Sequence, residues 1–328
     1  MRLVPLISAV SLTLCLLVTG CISPKIQFGR SLQDPLIETA LQGTADEKIL
    51  VVPVTGTITA EAEEGLIRIR PGTVREVAAI LDKARTDPDI KAMLILVNSP
   101  GGTAVASEML YHELERYKRE TGVKAVTLML SVAASGGYQA ALAGDVILAH
   151  PSTVTGSVGT IFVRPKVYEF MEKIGVGAEV TVSGEHKDMG SPLRPETPAE
   201  KEIIRGMIED MNGRFLSLVS KRRNISGEQL DEVATARIYT ASQAIRAGLV
   251  DRVGFREDAL AEAVKIAGLP DDPTVIIYRR TEYPNDTMYN TITAGMQGGP
   301  VFAGPILPEW LNAPRAGFHY LWLPGEKE

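Results

Sequence analysis

Three apolar runs set the architecture. Ile49–Val54, Ala92–Val97 and Val123–Leu130 show no alternation of apolar and polar residues. Each therefore reads as a strand buried on both faces rather than on one. Segments of helical spacing lie between them. Thr73–Arg85 carries Val74, Val77, Ala78 and Leu81 and stops before Pro88, and Ser107–Arg119 is amphipathic. Doubly covered strands alternating with helices predict an α/β fold with a mainly parallel sheet. Further on, Pro198–Arg223 predicts a long helix, apolar at 203, 204, 207, 208, 211, 215, 218 and 219. Its basic end, Lys221–Arg223, suits the negative end of the helix dipole.

The two ends of the chain differ from this body. Arg2 precedes an uncharged, mostly apolar run from Leu3 to Val18, followed by Thr19-Gly20-Cys21, the layout of an export signal. The run is short against the about 20 residues that span a bilayer core. Val18-Thr19-Gly20-Cys21 resembles a bacterial lipobox, which makes 1–21 a lipoprotein-type signal segment and implies a cut before Cys21, so that Cys21 is lipidated and becomes the mature N-terminus. The alternative is an uncleaved signal anchor. Either arrangement puts the body outside the cytoplasm, held at a membrane by its N-terminus. Residues 22–46 read as a tether and 47–268 as the folded body. Residues 269–328, with eight of the 20 prolines, read as an irregular extension apart from one strand at Thr274–Arg279.

Composition narrows the function classes. With 34 basic and 40 acidic residues and no Lys/Arg cluster longer than Lys221–Arg223, the chain lacks the basic footprint that nucleic acid requires. The two cysteines, Cys15 and Cys21, both lie at the N-terminus, which leaves the body without a disulfide framework or a cysteine-based metal centre. Neither H-E-x-x-H nor G-x-x-x-x-G-K-[ST] occurs, which disfavours zinc-protease and P-loop readings. We expect neither metal nor cofactor.

Two glycine-rich strand-to-helix junctions carry the candidate chemistry: Asn98-Ser99-Pro100-Gly101-Gly102 and Ala133-Ala134-Ser135-Gly136-Gly137-Tyr138. A serine at such a turn, flanked by small residues, is open to a substrate, and the amides of adjacent glycines suit an oxyanion. The same turns are also explained by glycine's freedom at positive φ, and the pattern by itself does not separate the two. A serine nucleophile needs a base. His112 lies mid-helix among charges, His150 ends an apolar strand, His319 falls in the irregular tail, and His186 neighbours Lys187 in a polar segment. G-x-S-x-G and S-x-x-K are absent, against α/β-hydrolases and penicillin-binding relatives.

At these junctions the sequence resembles the signal peptide peptidase A (protease IV) family. The likeness rests on S-P-G-G at 99–102, A-A-S-G-G-Y at 133–138, P-S-T-V-T-G-S-V-G at 151–159 and H-K-D-M-G-S-P at 186–192. It continues in order through 235–244 and 248–254, spanning about 48–268. The resemblance implies a Clp-protease/crotonase-like α/β fold and a membrane-attached serine endopeptidase with a Ser–Lys dyad, acting on signal peptides left after signal peptidase. It assigns Ser135 as nucleophile, Lys187 as general base and Ser157 as the hydroxyl orienting the lysine. Gly102 then supplies one oxyanion-hole amide, and Gly136 is the natural second donor. Ala-Arg-Ile-Tyr-Thr-Ala-Ser at 236–242 replaces the family's usual glycine-containing stretch. The chain matches the single-copy form, for which the family implies a ring-like homo-oligomer sharing the dyad between neighbours.

A free lysine titrates near about 10.4, so a lysine base at neutral pH requires a dry site. A remnant signal peptide is apolar and extended. We therefore expect an apolar groove binding by strand addition, walled by the strand before Ser135 and by Ser157–Val163. The alternatives are a general envelope quality-control peptidase and an inactive scaffold that binds membrane proteins.

Overall fold

The computed structural model describes residues 35–64, 69–280, 283, 285–290 and 317–322. The export signal, Cys21 and the tether up to residue 34 lie outside the described residues. In chain order the strands are β1 (Ile37–Gln42), β2 (Lys48–Thr55), β3 (Glu63–Glu64), β4 (Ile69–Arg70), β5 (Ile90–Ser99), β6 (Gly101–Thr103) and β7 (Lys124–Ala134). They continue with β8 (Val146–Ala149), β9 (Val154–Gly156), β10 (Ile161–Val163), β11 (Ile238–Thr240), β12 (Arg252–Val253), β13 (Thr274–Arg279) and β14 (Gly317–Leu321). The helices are α1 (Thr73–Ala84), α2 (Ala104–Thr121), α3 (Gly136–Ala141), α4 (Tyr168–Lys173), α5 (Pro198–Arg223), α6 (Glu228–Ala234), α7 (Ala241–Arg246) and α8 (Arg256–Ala267).

A nine-stranded sheet ordered β1-β13-β2-β5-β7-β8-β12 forms the centre, with β9 on the end of β7 and β11 on β9. Its pairings are parallel except β1–β13 and β11–β9, so the mainly parallel α/β architecture holds. The unbroken apolar runs follow from burial on both faces. Leu50, Val52, Met93, Ile95 and Val97 pack with Val77 and Leu81 of α1 and Leu110 and Leu114 of α2. The alternate residues Ile49, Val51, Leu94 and Leu96 pack with Ala259, Leu260 and Ala263 of α8. Each such side chain, fully buried, contributes about 1.5–3 kcal/mol. Helix α5 has the bounds the sequence predicts. Thr197 and Glu200 form a reciprocal capping box at its start, and Asn224, in the left-handed conformation, ends it.

The chain ends depart from expectation. The segment 22–46 reads as tether, yet Ile37–Gln42 is an edge strand antiparallel to β13. Its half-exposed alternation and its stabilisation through backbone pairing hide it from a search for apolar runs. The expected strand Thr274–Arg279 forms, and it lies inside the central sheet between β1 and β2. Residues 317–321, expected to be irregular, form β14, the middle strand of a second, three-stranded antiparallel sheet ordered β10-β14-β6. Among the described residues no helix is long and apolar enough to cross a membrane.

Candidate active site

The first glycine junction closes the end of β5. Ile58 N–H donates to the Gly101 carbonyl (2.8 Å), and the Ile58 carbonyl accepts from Thr103 N–H (3.2 Å). Both groups flanking Gly102 thus face Ile58, and the Gly102 N–H faces the other way, toward β14. A Cβ on Gly102 would collide with the Ile58 backbone, which explains the glycine. Gly101 has φ 102°, a conformation open to glycine. Thr103 then caps α2 by accepting from Ala106 N–H.

The second junction carries Ser135 at φ 53° and ψ −118°, a sparsely populated conformation costing a non-glycine residue about 1–3 kcal/mol. Its surroundings hold it there: Ser135 N–H donates to the Gly156 carbonyl (2.7 Å) and its Oγ to the Gly159 carbonyl (3.4 Å). A Cβ on Gly136 would collide with the Ser107 side chain, and one on Gly137 with the Ser99 carbonyl. The glycine pair is therefore what lets the two junctions approach. Tyr138 closes the motif by donating from its hydroxyl to the Leu249 carbonyl (2.9 Å), and burial pushes its phenol pKa up.

The third motif lies against the second. Thr153 Oγ donates to the Met129 carbonyl (3.1 Å) and Thr155 Oγ to the Ala133 carbonyl (2.6 Å), keeping β9 alongside the end of β7. Ser157, at φ 51°, sits between the two carbonyls that bind Ser135, and its N–H donates to the Arg237 carbonyl (2.8 Å). Ala236 has φ 57° within the stretch where the sequence departs from the glycine-containing pattern. An L-residue in such a conformation costs about 1–2 kcal/mol. The fold thus gathers Ser135, Ser157, Gly102 and Gly136 at one end of the sheet.

Lys187 stands apart. It lies in a run of turns over 185–190, exposed, whereas Ser135 is buried. The neighbouring Asp188 fixes this loop to α5. Arg194 makes paired 2.7 Å contacts with Asp188 through Nε and one terminal nitrogen, and its other terminal nitrogen reaches Glu200 Oε2 at 3.0 Å. The guanidinium holds the Asp188 carboxyl below the usual range. The same group, helped by Thr197 N–H, brings Glu200 down to about 2 from 4.5. A depressed carboxylate stabilises the folded state above its unfolded pKa, and that contribution is lost as pH falls from about 4.5 through about 2. Arg194→Met should therefore flatten this acid transition, followed by circular dichroism. By loosening the Lys187 loop it should also lower kcat by about 10- to 100-fold, with KM less affected. An unchanged kcat would show that the network does not position Lys187.

The groove over Ser135 is filled. Strand β14 runs antiparallel to β6 on one side (Tyr320 opposite Gly102) and to β10 on the other (Ile161 opposite His319). The walls are thus β6 and the end of the expected Ser157–Val163 segment; the strand before Ser135 pairs with β5, β8 and β9 instead. Tyr320 is fully buried. Its ring lies 4.8 Å from that of Phe215, and its hydroxyl donates to the Met211 carbonyl (3.0 Å) and lies 3.4 Å from Glu108 Oε1. Burial pushes this phenol up to about 12. Phe318 packs 4.8 Å from Phe162. Local pattern does not single out Glu108, Met211 and Phe215, because only the packing of α2 against α5 makes them one pocket.

The histidines belong elsewhere or to the occupying strand. His112 and His186 are exposed. His150 meets Phe255 edge-on at 5.0 Å and accepts from Ser152 N–H. His319 is part of β14.

The chain has relatives among known proteins. Residues 117–269 match peptidase family S49. The chain is 36% identical over 226 residues to "Putative protease slr0021" of Synechocystis sp., covering 69% of this chain and 76% of that protein. It is 34% identical over 250 residues to "Putative signal peptide peptidase SppA" of Enterococcus faecium (76% and 71%). With "Protease 4" of Haemophilus influenzae it shares 33% over 270 residues, 81% of this chain and 42% of that protein. On these matches, and with an α/β frame of the Clp-protease-like kind, the chain belongs to peptidase family S49 and is a serine peptidase.

Proposed function

We propose that the chain is a membrane-attached, extracytoplasmic endopeptidase that hydrolyses remnant signal peptides through a Ser135–Lys187 dyad. The observation that carries this reading is the groove between β6 and β10, which accepts an extended chain by backbone pairing on both sides. Backbone pairing gives affinity for any extended segment, and pockets select its side chains. The apolar and aromatic contacts of Phe318 and Tyr320 suit a substrate rich in such residues. In this reaction Ser135 Oγ attacks the peptide carbonyl, the Gly102 and Gly136 amides hold the oxyanion, and Lys187 Nζ takes the proton and returns it to the leaving amine. Ser157 orients that amine. Water then releases the acyl group.

The exposed Lys187 needs a dry setting for this role, and a second copy of the chain provides it. The segment carrying Lys187 presents Phe170, Ile174, Val176, Val180 and Val182 to solvent, an apolar surface that a neighbouring protomer would cover. We therefore assign the base at each serine to an adjacent copy in a homo-oligomeric ring. Attachment to the membrane runs through Cys21, and Cys21→Ser should abolish lipid labelling and leave a longer precursor.

The test has three parts. A fluorophosphonate should label wild type but not Ser135→Ala, and failure to label wild type would defeat the active-serine assignment. Mass spectrometry of products from mixed signal peptides and an unfolded protein should show preference for the signal peptides. Equal cleavage of both would favour general envelope quality control. The logarithm of kcat/KM should rise with pH through one ionisation on the alkaline side; a plateau already reached at pH about 6 would exclude a lysine base.

A further inference from the structure

We infer that Ala236 is a positioning residue for Ser135: its methyl group, held at a left-handed backbone position, braces Gly159 and so fixes the carbonyl that holds the serine hydroxyl. The inference rests on the Ser135 chemistry proposed above and adds to it a residue from a distant part of the chain.

Ala236 follows Thr235, which caps the end of α6, and its N–H donates to the Val233 carbonyl (3.0 Å). At φ 57° it is the left-handed residue that ends this helix. The helix end explains the backbone conformation and leaves the side chain unexplained. Glycine takes such a conformation freely, whereas an L-residue is strained in it. Burial does not account for the methyl either, because Ala236 is exposed. A strained side chain that fills no core position points to what it touches. That neighbour is Gly159. A Cβ on Gly159 would stand 2.7 Å from the Ala236 Cβ, and among the described residues the next atom outside its chain neighbours is the Ala236 Cα at 4.0 Å. Gly159 is not at positive φ, so its backbone would accept a side chain. The methyl of Ala236 is what keeps one out.

The contact reaches the nucleophile through one atom, since the Gly159 carbonyl accepts from Ser135 Oγ (3.4 Å). The neighbouring residues grip the rest of the same turn through their backbones. The Arg237 carbonyl accepts from Ser157 N–H (2.8 Å). Ile238 pairs with Gly156, whose carbonyl accepts from Ser135 N–H (2.7 Å). Residues 236–238 thus hold the 156–159 turn by two backbone pairings and one methyl contact, and only the methyl depends on a side chain. A hydrogen bond of 3.4 Å is long, so the direction of the hydroxyl depends on Gly159 staying in place. Without the methyl, Gly159 moves toward the vacated space. Ser135 Oγ then loses its set orientation toward the carbonyl it attacks, and small misplacements of a reacting group are costly.

The test is Ala236→Gly in the full-length chain, followed by steady-state peptide cleavage, fluorophosphonate labelling and thermal unfolding. Relief of the strained φ should leave Tm at or above that of wild type. At the same time kcat should fall about tenfold, with KM within about twofold of wild type. A purely structural residue would not move the two in opposite directions. Gly159→Ala should lose activity through the clash. Combining it with Ala236→Gly carries the methyl across the contact and should bring kcat back to within about threefold of wild type. Asn224→Gly, at another left-handed helix end outside the site, should leave kcat unchanged. Three results overturn the inference while labelling of wild type leaves the peptidase site standing. They are a kcat for Ala236→Gly within about twofold of wild type, an equal fall in Asn224→Gly, and a double variant no more active than Gly159→Ala. A wild type that does not label overturns both.

Discussion

Ser135→Ala is expected to lower kcat by about 10⁴-fold or more, and Lys187→Ala by a comparable factor, while alanine at His112, His150, His186 or His319 leaves peptide cleavage largely intact. Removing a nucleophile or its base costs about this much in serine peptidases, and the remainder comes from binding and oxyanion stabilisation. The structural reason is specific. Ser135 is buried at a strained turn bracketed by the Gly156 and Gly159 carbonyls, whereas two of the histidines are exposed, one is engaged by Phe255 and one lies in the occupying strand. Initial rates on one peptide across the six variants check this. A collapse of acylation in His186→Ala alone would instead indicate a Ser–His mechanism.

Mixing two dead variants should restore activity. Ser135→Ala protomers retain Lys187, and Lys187→Ala protomers retain Ser135. In a head-to-tail ring every interface is equivalent, so an equal random mixture places an intact serine beside an intact lysine at roughly a quarter of sites. If each chain used its own lysine, no site would recover. The two variants are unfolded together, refolded and assayed, with mixed assembly verified by native mass spectrometry. Verified mixed rings without activity would exclude sharing. The exposure of Lys187 and, earlier in the same stretch of chain, of Phe170, Ile174 and Val180 is the reason to expect recovery.

The central strands were legible because Ile49–Val54, Ala92–Val97 and most of Val123–Leu130 are covered on both faces, and such burial leaves a mostly apolar run, interrupted only by Pro53 in the first and by Lys124 and Thr127 in the third. Helix α5 was legible to the residue because Thr197, Pro198, Glu200 and Asn224 are local signals that need no tertiary partner. The glycine junctions were visible as motifs, while the reason for each glycine, a backbone or side chain standing where a Cβ would go, is set by the tertiary fold. Strands β1 and β14 were not legible. The first is half exposed, and the second pairs Tyr320 with Gly102 from the far end of the chain. No local window contains that information. The Tyr320 pocket shares this character: Glu108 and Phe215 read as ordinary positions on two separate helices.

The pairing of β1 with β13 fixes where the N-terminal segment leaves the body, and under the proposed attachment at Cys21 this would limit how far the enzyme can roam. Between Cys21 and Ile37 lie the 15 residues Ile22–Leu36, which reach at most about 50 Å even if fully extended. With lipid on Cys21, the point of departure on β1 stays within that leash of the bilayer surface, whatever path the segment takes. The catalytic groove then samples a thin shell above the membrane rather than the volume of its compartment. Lengthening the leash would enlarge that shell without altering one atom of the site.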